Sequence, residues 1–177
     1  GQEVALEILH ANGIYDVDVV EGQGFLTDHY DPRKKVLVLS PANFSRPSVA
    51  GTAIAAHEVG HAIQHAQGYF FLRFRTSLVP LANIGSSIGY LAVFAGIILT
   101  SLQSTLGSTA LWIGIAFMSF AVLFSIVTLP VEFNASSRAM KQIQSLDIVN
   151  EKEYRHAKKV LTAAAMTYVA STAVALA

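Results

Sequence analysis

The order of hydrophobic and polar positions divides the chain into a mixed first part and a long apolar second part. Residues 2–13 have helical spacing and stop at a glycine, which predicts a short amphipathic helix. Residues 16–20 alternate polar and apolar as a half-buried strand does, and residues 25–40 indicate two short strands around an Asp-Pro turn. Residues 45–68 are alanine-rich, begin with a Ser-x-Pro cap and end at a glycine, which predicts a helix of about five turns.

Two long uncharged stretches follow this first part. Residues 81–101 and 110–130 each have about the 20 residues that a helix needs to cross a bilayer. Because both are uncharged and only a short polar turn separates them, they favour a transmembrane hairpin over a pair of buried core helices. Residues 132–159 return to a charged, helical composition, and residues 160–177 form a third, less hydrophobic stretch that we expect to span the membrane too.

The composition agrees with a membrane protein. Hydrophobic residues make up 53% of the chain and charged residues 14%, against about 25% charged residues in a typical soluble domain. The formal net charge is zero, so the chain lacks the basic excess that a nucleic-acid partner would need. We therefore predict a mainly α membrane protein with a small β-sheet. We expect a single domain, 1–177, made of a soluble part (1–80), a transmembrane hairpin (81–131), a soluble helical part (132–159) and a third span (160–177).

The positions of the cations predict which side of the membrane the soluble parts face. Arg73 and Arg75 precede the first apolar stretch, Arg138 and Lys141 follow the second, and the turn at 102–109 has no cation. Under the positive-inside rule, this places the soluble parts on the cytoplasmic side of a multi-pass protein of the cell membrane.

One stretch of the predicted helix carries the sequence H-E-x-x-H, at His57, Glu58 and His61. The two histidines lie one helical turn apart, about 6 Å along the axis, so both imidazoles can bind one Zn²⁺. Glu58 is rotated by about 100° from His57, where its carboxylate can hold a water and accept its proton. His65 lies about 9 Å from the midpoint of the pair, which is too far for the same ion. The alternative interpretation is a helix with two ordinary surface histidines.

A zinc ion needs a third protein ligand from elsewhere in the chain. The sequence contains no cysteine, so the donor has to be a histidine or a carboxylate. Glu132 directly follows the second apolar stretch, where an unpaired carboxylate would be costly. If residues 81–131 form a hairpin, Glu132 also returns to the same side of the membrane as the two histidines. Asp28 and Asp31 are rival acids, and helix capping is the alternative role for Glu132.

Four motifs occur in order along the chain: LTDHYDP (26–32), LSPANFS (39–45), AAHEVGHAIQ (55–64) and TLPVEFNASSRA (128–139). Together they resemble the YugP-type family of bacterial membrane zinc metallopeptidases. The resemblance covers most of the chain and implies a gluzincin-like site that holds one zinc per chain. It implies that His57, His61 and Glu132 bind the zinc and that Glu58 is the general base.

The chain departs from the better-known gluzincins at one position. Those enzymes often carry an aspartate four residues after the ligand glutamate, where it orients a ligand histidine. Here Ser136 occupies that position, and Asn134 is the nearest other polar side chain.

The expected activity is the hydrolysis of peptide bonds by a zinc-dependent membrane metalloendopeptidase. Glu58 would take a proton from the attacking water and pass it to the leaving amine. The tetrahedral oxyanion needs a donor besides the zinc, for which Arg138, His156 and Tyr154 are candidates. Arg138 has a structural ion pair as its alternative role. Residues 36–40 are a candidate edge for an added substrate strand, with an ordinary core strand as the alternative.

Two other classes of protein remain open. A different zinc hydrolase could use the same helix, but a deformylase needs a cysteine ligand, and a site-two-type intramembrane protease needs an aspartate inside a span. A non-catalytic zinc-stabilised membrane scaffold, or a partner-binding protein, is the other class, although a structural site has no use for Glu58 as a base. Besides the lipid bilayer, we expect polypeptide substrates, membrane proteins among them. Small residues at 85–96 allow close packing of helices within the chain, in a homo-oligomer or with a membrane-protein partner.

Overall fold

The computed structural model describes residues 1–177 and confirms the mainly helical class with a small sheet. The elements in chain order are α1 (Gln2–Ala11), β1 (Asp18–Glu21), β2 (His29–Asp31), β3 (Val36–Leu39), α2 (Pro41–Ser45), α3 (Val49–Ala66), α4 (Phe70–Ser101), α5 (Leu106–Ser145) and α6 (Glu151–Leu176). The predicted helices at 81–101 and 110–130 are parts of the longer helices α4 and α5. The short helix α2 was not predicted.

The sheet has the strand order β1-β3-β2, with β3 in the middle. β1 runs parallel to β3 and β2 runs antiparallel to it, so that Val19 and Tyr30 both pair with Leu37. The prediction that residues 36–40 form a free edge is therefore wrong, because β3 has a partner on both sides. Its alternate residues Leu37 and Leu39 are fully buried, as in a core strand. The free edges of the sheet are β1 and β2.

Helix α3, which carries the H-E-x-x-H sequence, begins later than predicted. Arg46 is extended, with φ −81° and ψ 132°, because a residue that precedes a proline is disfavoured in the helical region. Ser48 is the N-cap, and its Oγ accepts a hydrogen bond of 2.9 Å from the backbone N–H of Gly51. The helix ends before Gly68, whose φ of +63° favours glycine.

The chain forms two compact units, and the first consists of residues 1–72 and 130–167. It contains the sheet, α1 to α3, the second part of α5 and most of α6. Its core includes fully or almost fully buried apolar side chains from α1, β3, α3, α5 and α6: Ile8, Leu9, Leu37, Leu39, Val59, Ile143 and Leu161. Because α3 packs in this core on several sides, its functional side chains are held on a rigid element.

The second unit consists of residues 73–129 and 168–177. Within it α4 and α5 pack closely, because a Cβ added at Gly85 would lie 2.5 Å from the backbone oxygen of Phe117. Large apolar side chains such as Leu91, Phe94 and Trp112 are exposed, which suits contact with lipid. Helices α4, α5 and α6 are each long and apolar enough to cross a membrane.

Candidate metal centre

The candidate site lies where α3 crosses α5 in the first unit. A Cβ added at Gly60 would lie 2.5 Å from the backbone oxygen of Ala135, so the two backbones are almost in contact. Ala56 on α3 and Ala139 on α5 are both buried in the core of this unit. Because only small side chains separate the helices, the histidines of α3 can reach the glutamate of α5.

The three predicted zinc ligands come together at this crossing. One potential ligand atom from each of His57, His61 and Glu132 lies within 4.8 Å of the other two. Both histidines turn Nε2 towards the same carboxylate oxygen, Oε2 of Glu132, at 3.1 Å from His57 and 3.5 Å from His61. Glu132 is only 3% exposed, so this carboxylate is held inside the protein.

The geometry and chemistry of the three side chains fit a zinc ion. Two ligand atoms that are each about 2.0–2.1 Å from a tetrahedral zinc lie roughly 3.3 Å apart. The Nε2–Oε2 distances of 3.1 and 3.5 Å lie on either side of that value. Two imidazole nitrogens and one carboxylate oxygen are also a donor set of catalytic zinc sites, which keep a fourth position open.

The electrostatics of the cluster favour a bound cation. Burial alone would raise the pKa of Glu132, but hydrogen bonds with His57 and His61 and the charges of these histidines hold it well below its ordinary value. For His61, burial lowers the pKa. The hydrogen bond to Glu132 and the negative charges of Glu58 and Glu132 outweigh this effect, so the pKa is raised overall. Glu132 is therefore ionised, and its negative charge is available to a bound cation when the two histidines are neutral.

Each ligand histidine has a hydrogen-bonding partner at its other ring nitrogen. Nδ1 of His57 lies 3.0 Å from Oγ of Ser136, and Nδ1 of His61 lies 3.0 Å from Oε1 of Gln64. Ser136 thus contacts His57 from the position where the better-known gluzincins often carry an aspartate. Sequence reasoning missed Gln64, although its spacing of three residues from His61 places the two side chains on one helix face.

Glu58 lies beside the cluster without a protein partner. Its side chain is buried, with 9% of its surface exposed, and it makes no hydrogen bond or ion pair. Its charge acts on His61, whose pKa it helps to raise. The carboxylate oxygens of Glu58 keep some contact with solvent, so this position suits a group that binds a water instead of protein.

The predicted oxyanion donors are not in contact with the three ligands. Arg138 donates from Nε to Oδ1 of Asn134 at 2.7 Å and from a terminal nitrogen to Oε1 of Gln67 at 2.5 Å. Tyr154 is half-buried in a groove between α5 and α6, and His156 is exposed on α6. A role for any of them in catalysis remains a prediction.

The rival acids have structural partners instead. Asp28 accepts hydrogen bonds from the backbone N–H of Ser40 at 2.8 Å, from Oγ of Ser40 at 3.0 Å and from Nδ2 of Asn43 at 3.0 Å. This explains why the motifs at 26–32 and 39–45 occur together, since one contains the acceptor and the other the donors. Asp31 accepts from the backbone N–H groups that follow it, as in an Asx turn.

His65 is outside the ligand cluster, as its spacing predicted. Its Nδ1 lies 2.9 Å from the hydroxyl of Tyr30 on β2. Burial, with the nearby charges of Asp16 and Asp31, raises the pKa of Tyr30 to about 12. The hydroxyl therefore keeps its proton at neutral pH and ties the end of α3 to an edge strand of the sheet.

Comparison with known proteins decides the family. The family described as "Putative neutral zinc metallopeptidase" matches residues 1–177. The chain belongs to this family. It is also 43% identical over 176 residues to the protein of Bacillus subtilis (strain 168) named "Putative membrane protease YugP", which covers 99% of this chain and 76% of that protein. No solved structure matches the chain.

Family membership confirms the resemblance that the four motifs indicated. Together with the cluster of His57, His61 and Glu132, it also confirms zinc as the expected cofactor. The three apolar helices and the name of the Bacillus relative agree in describing a membrane protein.

Proposed function

We propose that this protein is a membrane metalloendopeptidase that hydrolyses peptide bonds with Glu58 as the general base. In this proposal His57, His61 and Glu132 hold one zinc ion. The observation that carries the proposal is the state of Glu58, which is buried beside the ligands and has no protein partner. A purely structural zinc site would have no use for such a carboxylate.

In this proposal, each residue of the site has a separate role in peptide hydrolysis. When bound, zinc supplies a Lewis acid that polarises the scissile carbonyl and makes water easier to deprotonate. Glu58 accepts the proton of the attacking water and then donates it to the leaving amine. The two histidines keep Nε2 directed at the ion because Ser136 and Gln64 engage their Nδ1 atoms.

The substrate strand would add to β2 rather than to β3. β2 is an edge of the sheet, and the contact between Tyr30 and His65 joins it directly to α3. An extended polypeptide that pairs with β2 would gain main-chain hydrogen bonds there. Because the active helix belongs to a chain with three candidate spans, we include membrane proteins among the substrates.

We also propose which side of the membrane the catalytic part faces. Cations stand next to the apolar stretches at Arg73, Arg75, Arg138 and Lys141, and the turn between α4 and α5 has none. The positive-inside rule then places the catalytic part on the cytoplasmic side of the cell membrane. The boundaries proposed for the membrane-spanning parts are 81–131 and 160–177.

The variant Glu58→Gln tests the general base. Purified full-length protein in detergent should keep its zinc and lose peptidase activity on a fluorogenic peptide library by about 10²- to 10⁴-fold, the usual contribution of general acid–base catalysis. Glu7→Gln is the matched control, because Glu7 is exposed on α1. Activity retained in Glu58→Gln would remove Glu58 from the mechanism. A wild type that binds zinc and cleaves no peptide would support the non-catalytic scaffold instead.

A further inference from the structure

A chain of hydrogen bonds runs from Arg138 on α5 to the ligand His61 on α3. Nε of Arg138 donates to Oδ1 of Asn134 at 2.7 Å, and the same Oδ1 accepts from Nε2 of Gln64 at 2.9 Å. Nε2 of Gln64 also donates to the backbone oxygen of Val131 at 2.9 Å, and its Oε1 lies 3.0 Å from Nδ1 of His61. Gln64 is 0% exposed, so water does not replace any of these partners.

Arg138 and the carbonyl of Val131 determine which atom donates and which accepts in every hydrogen bond of this series. A guanidinium group has only donors, so the Asn134 atom that faces Arg138 has to be its oxygen. A backbone carbonyl has only acceptors, so the Gln64 atom that faces Val131 has to be its nitrogen. Both requirements place the Nε2 of Gln64 towards α5. Its Oε1 must therefore face His61.

The orientation of Gln64 fixes the position of a proton on His61. Because Oε1 can only accept, Nδ1 of His61 has to carry the hydrogen. In the neutral ring that can bind a metal, the lone pair is then on Nε2, the atom that faces Glu132 at 3.5 Å. In the metal-free protein, a proton on Nε2 makes the hydrogen bond with Glu132. The other tautomer would place the lone pair of Nδ1 against the lone pairs of Oε1 of Gln64, which is fully buried.

The second ligand histidine has no such restriction. Nδ1 of His57 faces the hydroxyl of Ser136, which can donate or accept as it rotates. The hydroxyl therefore supports the orientation of the His57 ring and accepts either tautomer. Of the two histidines, His61 is the one whose tautomer is determined by the surrounding protein.

We propose that Gln64 is a positioning residue that sets the tautomer of His61 for metal binding, and that Arg138 supports it by orienting Asn134. The proposal rests on the zinc site of the proposed function, but it does not depend on peptidase activity. It gives Arg138 a role in the framework instead of a contact with the substrate oxyanion. The ring of Tyr69, 5.7 Å from the guanidinium carbon, and Gln67 hold Arg138 in place for this role.

The first test compares Gln64→Met with Gln64→Glu in the full-length protein. The readouts are the ¹⁵N NMR signals of His61 in zinc-free protein, recorded at a pH where the ring is neutral, and the zinc affinity measured by competition with a chelator. Gln64→Met removes the acceptor, so His61 should populate both tautomers and zinc affinity should fall by about 10- to 100-fold, as for other outer partners of ligands. Gln64→Glu keeps the acceptor that faces Nδ1 of His61 and should keep the Nδ1–H tautomer, but it loses the donor to Val131 and Asn134, so we expect it to be less stable than the wild type.

The matched control is Gln142→Met. Gln142 also joins two helices through a side-chain amide, which accepts from Nδ2 of Asn12 at 3.0 Å, but it does not contact a histidine. This control should leave the tautomer of His61 and the zinc affinity unchanged. The proposal is overturned if Gln64→Met keeps the Nδ1–H tautomer and binds zinc within twofold of the wild type.

A second pair of variants tests Arg138, at the other end of this series of hydrogen bonds, and remains informative if Gln64→Met does not fold. Arg138→Met should lower zinc affinity several-fold, less than Gln64→Met does, because Val131 still holds Gln64. Arg138→Lys, which keeps an obligate donor, should restore part of the loss. An oxyanion donor would behave differently, since its removal lowers kcat by about 10²- to 10³-fold and leaves zinc affinity intact. That pattern would overturn the role proposed for Arg138.

Discussion

Two helix crossings in this protein have the same close backbone contact but different roles. Where α3 crosses α5 in the first unit, Gly60 lies against the backbone oxygen of Ala135. Where α4 packs on α5 in the second unit, Gly85 lies against the backbone oxygen of Phe117, and a Cβ added at either glycine would lie 2.5 Å from that oxygen. The first crossing gathers polar ligands, and the second brings together apolar helices.

The comparison shows that close backbone contact does not by itself create a site. In the second unit, residues 76–129 include no acid, base or histidine, and the contact serves packing. In the first unit, the small residues let Glu132 reach two histidines, and Gln64 and Ser136 then hold the rings. The site therefore depends on the crossing distance as well as on the identity of the ligands.

Removal of a predicted zinc ligand should show the largest difference between the two crossings, because only the first crossing should be affected. His61→Ala should weaken zinc binding by more than the roughly 100-fold that loss of an outer partner can cost, because one of three protein donors is gone. The packing of α4 on α5 should not change. Zinc competition and cysteine crosslinking between α4 and α5 would measure the two effects. His10→Ala, at an exposed histidine on α1, is the control, and equal zinc loss in both variants would contradict the assignment.

Substitution of the two glycines should give similar losses of stability and different losses of function. Gly60→Ala and Gly85→Ala each force a methyl group against backbone, which should lower the free energy of unfolding by about 1–3 kcal/mol. Only Gly60→Ala should also weaken zinc binding, because it moves α3 away from Glu132. Denaturant unfolding in detergent and zinc competition test both points. A Gly60→Ala variant with wild-type zinc affinity would show that the crossing distance is not critical.

The smallest expected effect concerns the serine beside His57. Ser136→Ala should weaken zinc binding by about 10-fold, near the lower end of the range for outer partners, because a hydroxyl is a weaker partner than a carboxylate. Ser137→Ala is the neighbouring control, since Ser137 is exposed. A chelator competition series on the two variants would decide the point. Indistinguishable affinities would mean that Ser136 does not help to hold the ring.

The three residues of the cluster could be predicted from the sequence because each has a local signal. The four-residue spacing of His57 and His61 places them on one helix face, and Glu132 is an isolated acid directly after an apolar stretch. Helices were also predictable, since α3, α4 and α5 have long uniform patterns. Their ends were less certain, as the later start of α3 shows, because capping depends on single residues such as Ser48.

The parts that sequence reasoning missed depend on contacts between distant segments. The apolar, β-branched composition of residues 36–40 predicts a strand, but it does not tell which strands lie beside it, so the central position of β3 was missed. Gln64 obtains its role from the carbonyl of Val131 on another helix, which no local pattern shows. Arg138 is six residues after Glu132, which rotates it by roughly 240° on an α-helix and turns it away from the ligands.

Zinc content is the measurement that tests the central claim most directly. Elemental analysis of purified full-length wild type and of Glu132→Ala should give one zinc per chain in the first and none in the second, because Glu132 is the only acid in the ligand cluster. Glu153→Ala, at an acid on α6 that accepts a hydrogen bond from the backbone N–H of Asn150, is the control and should keep its zinc. Zinc retained in Glu132→Ala, or absent from reconstituted wild type, would contradict the account of the site.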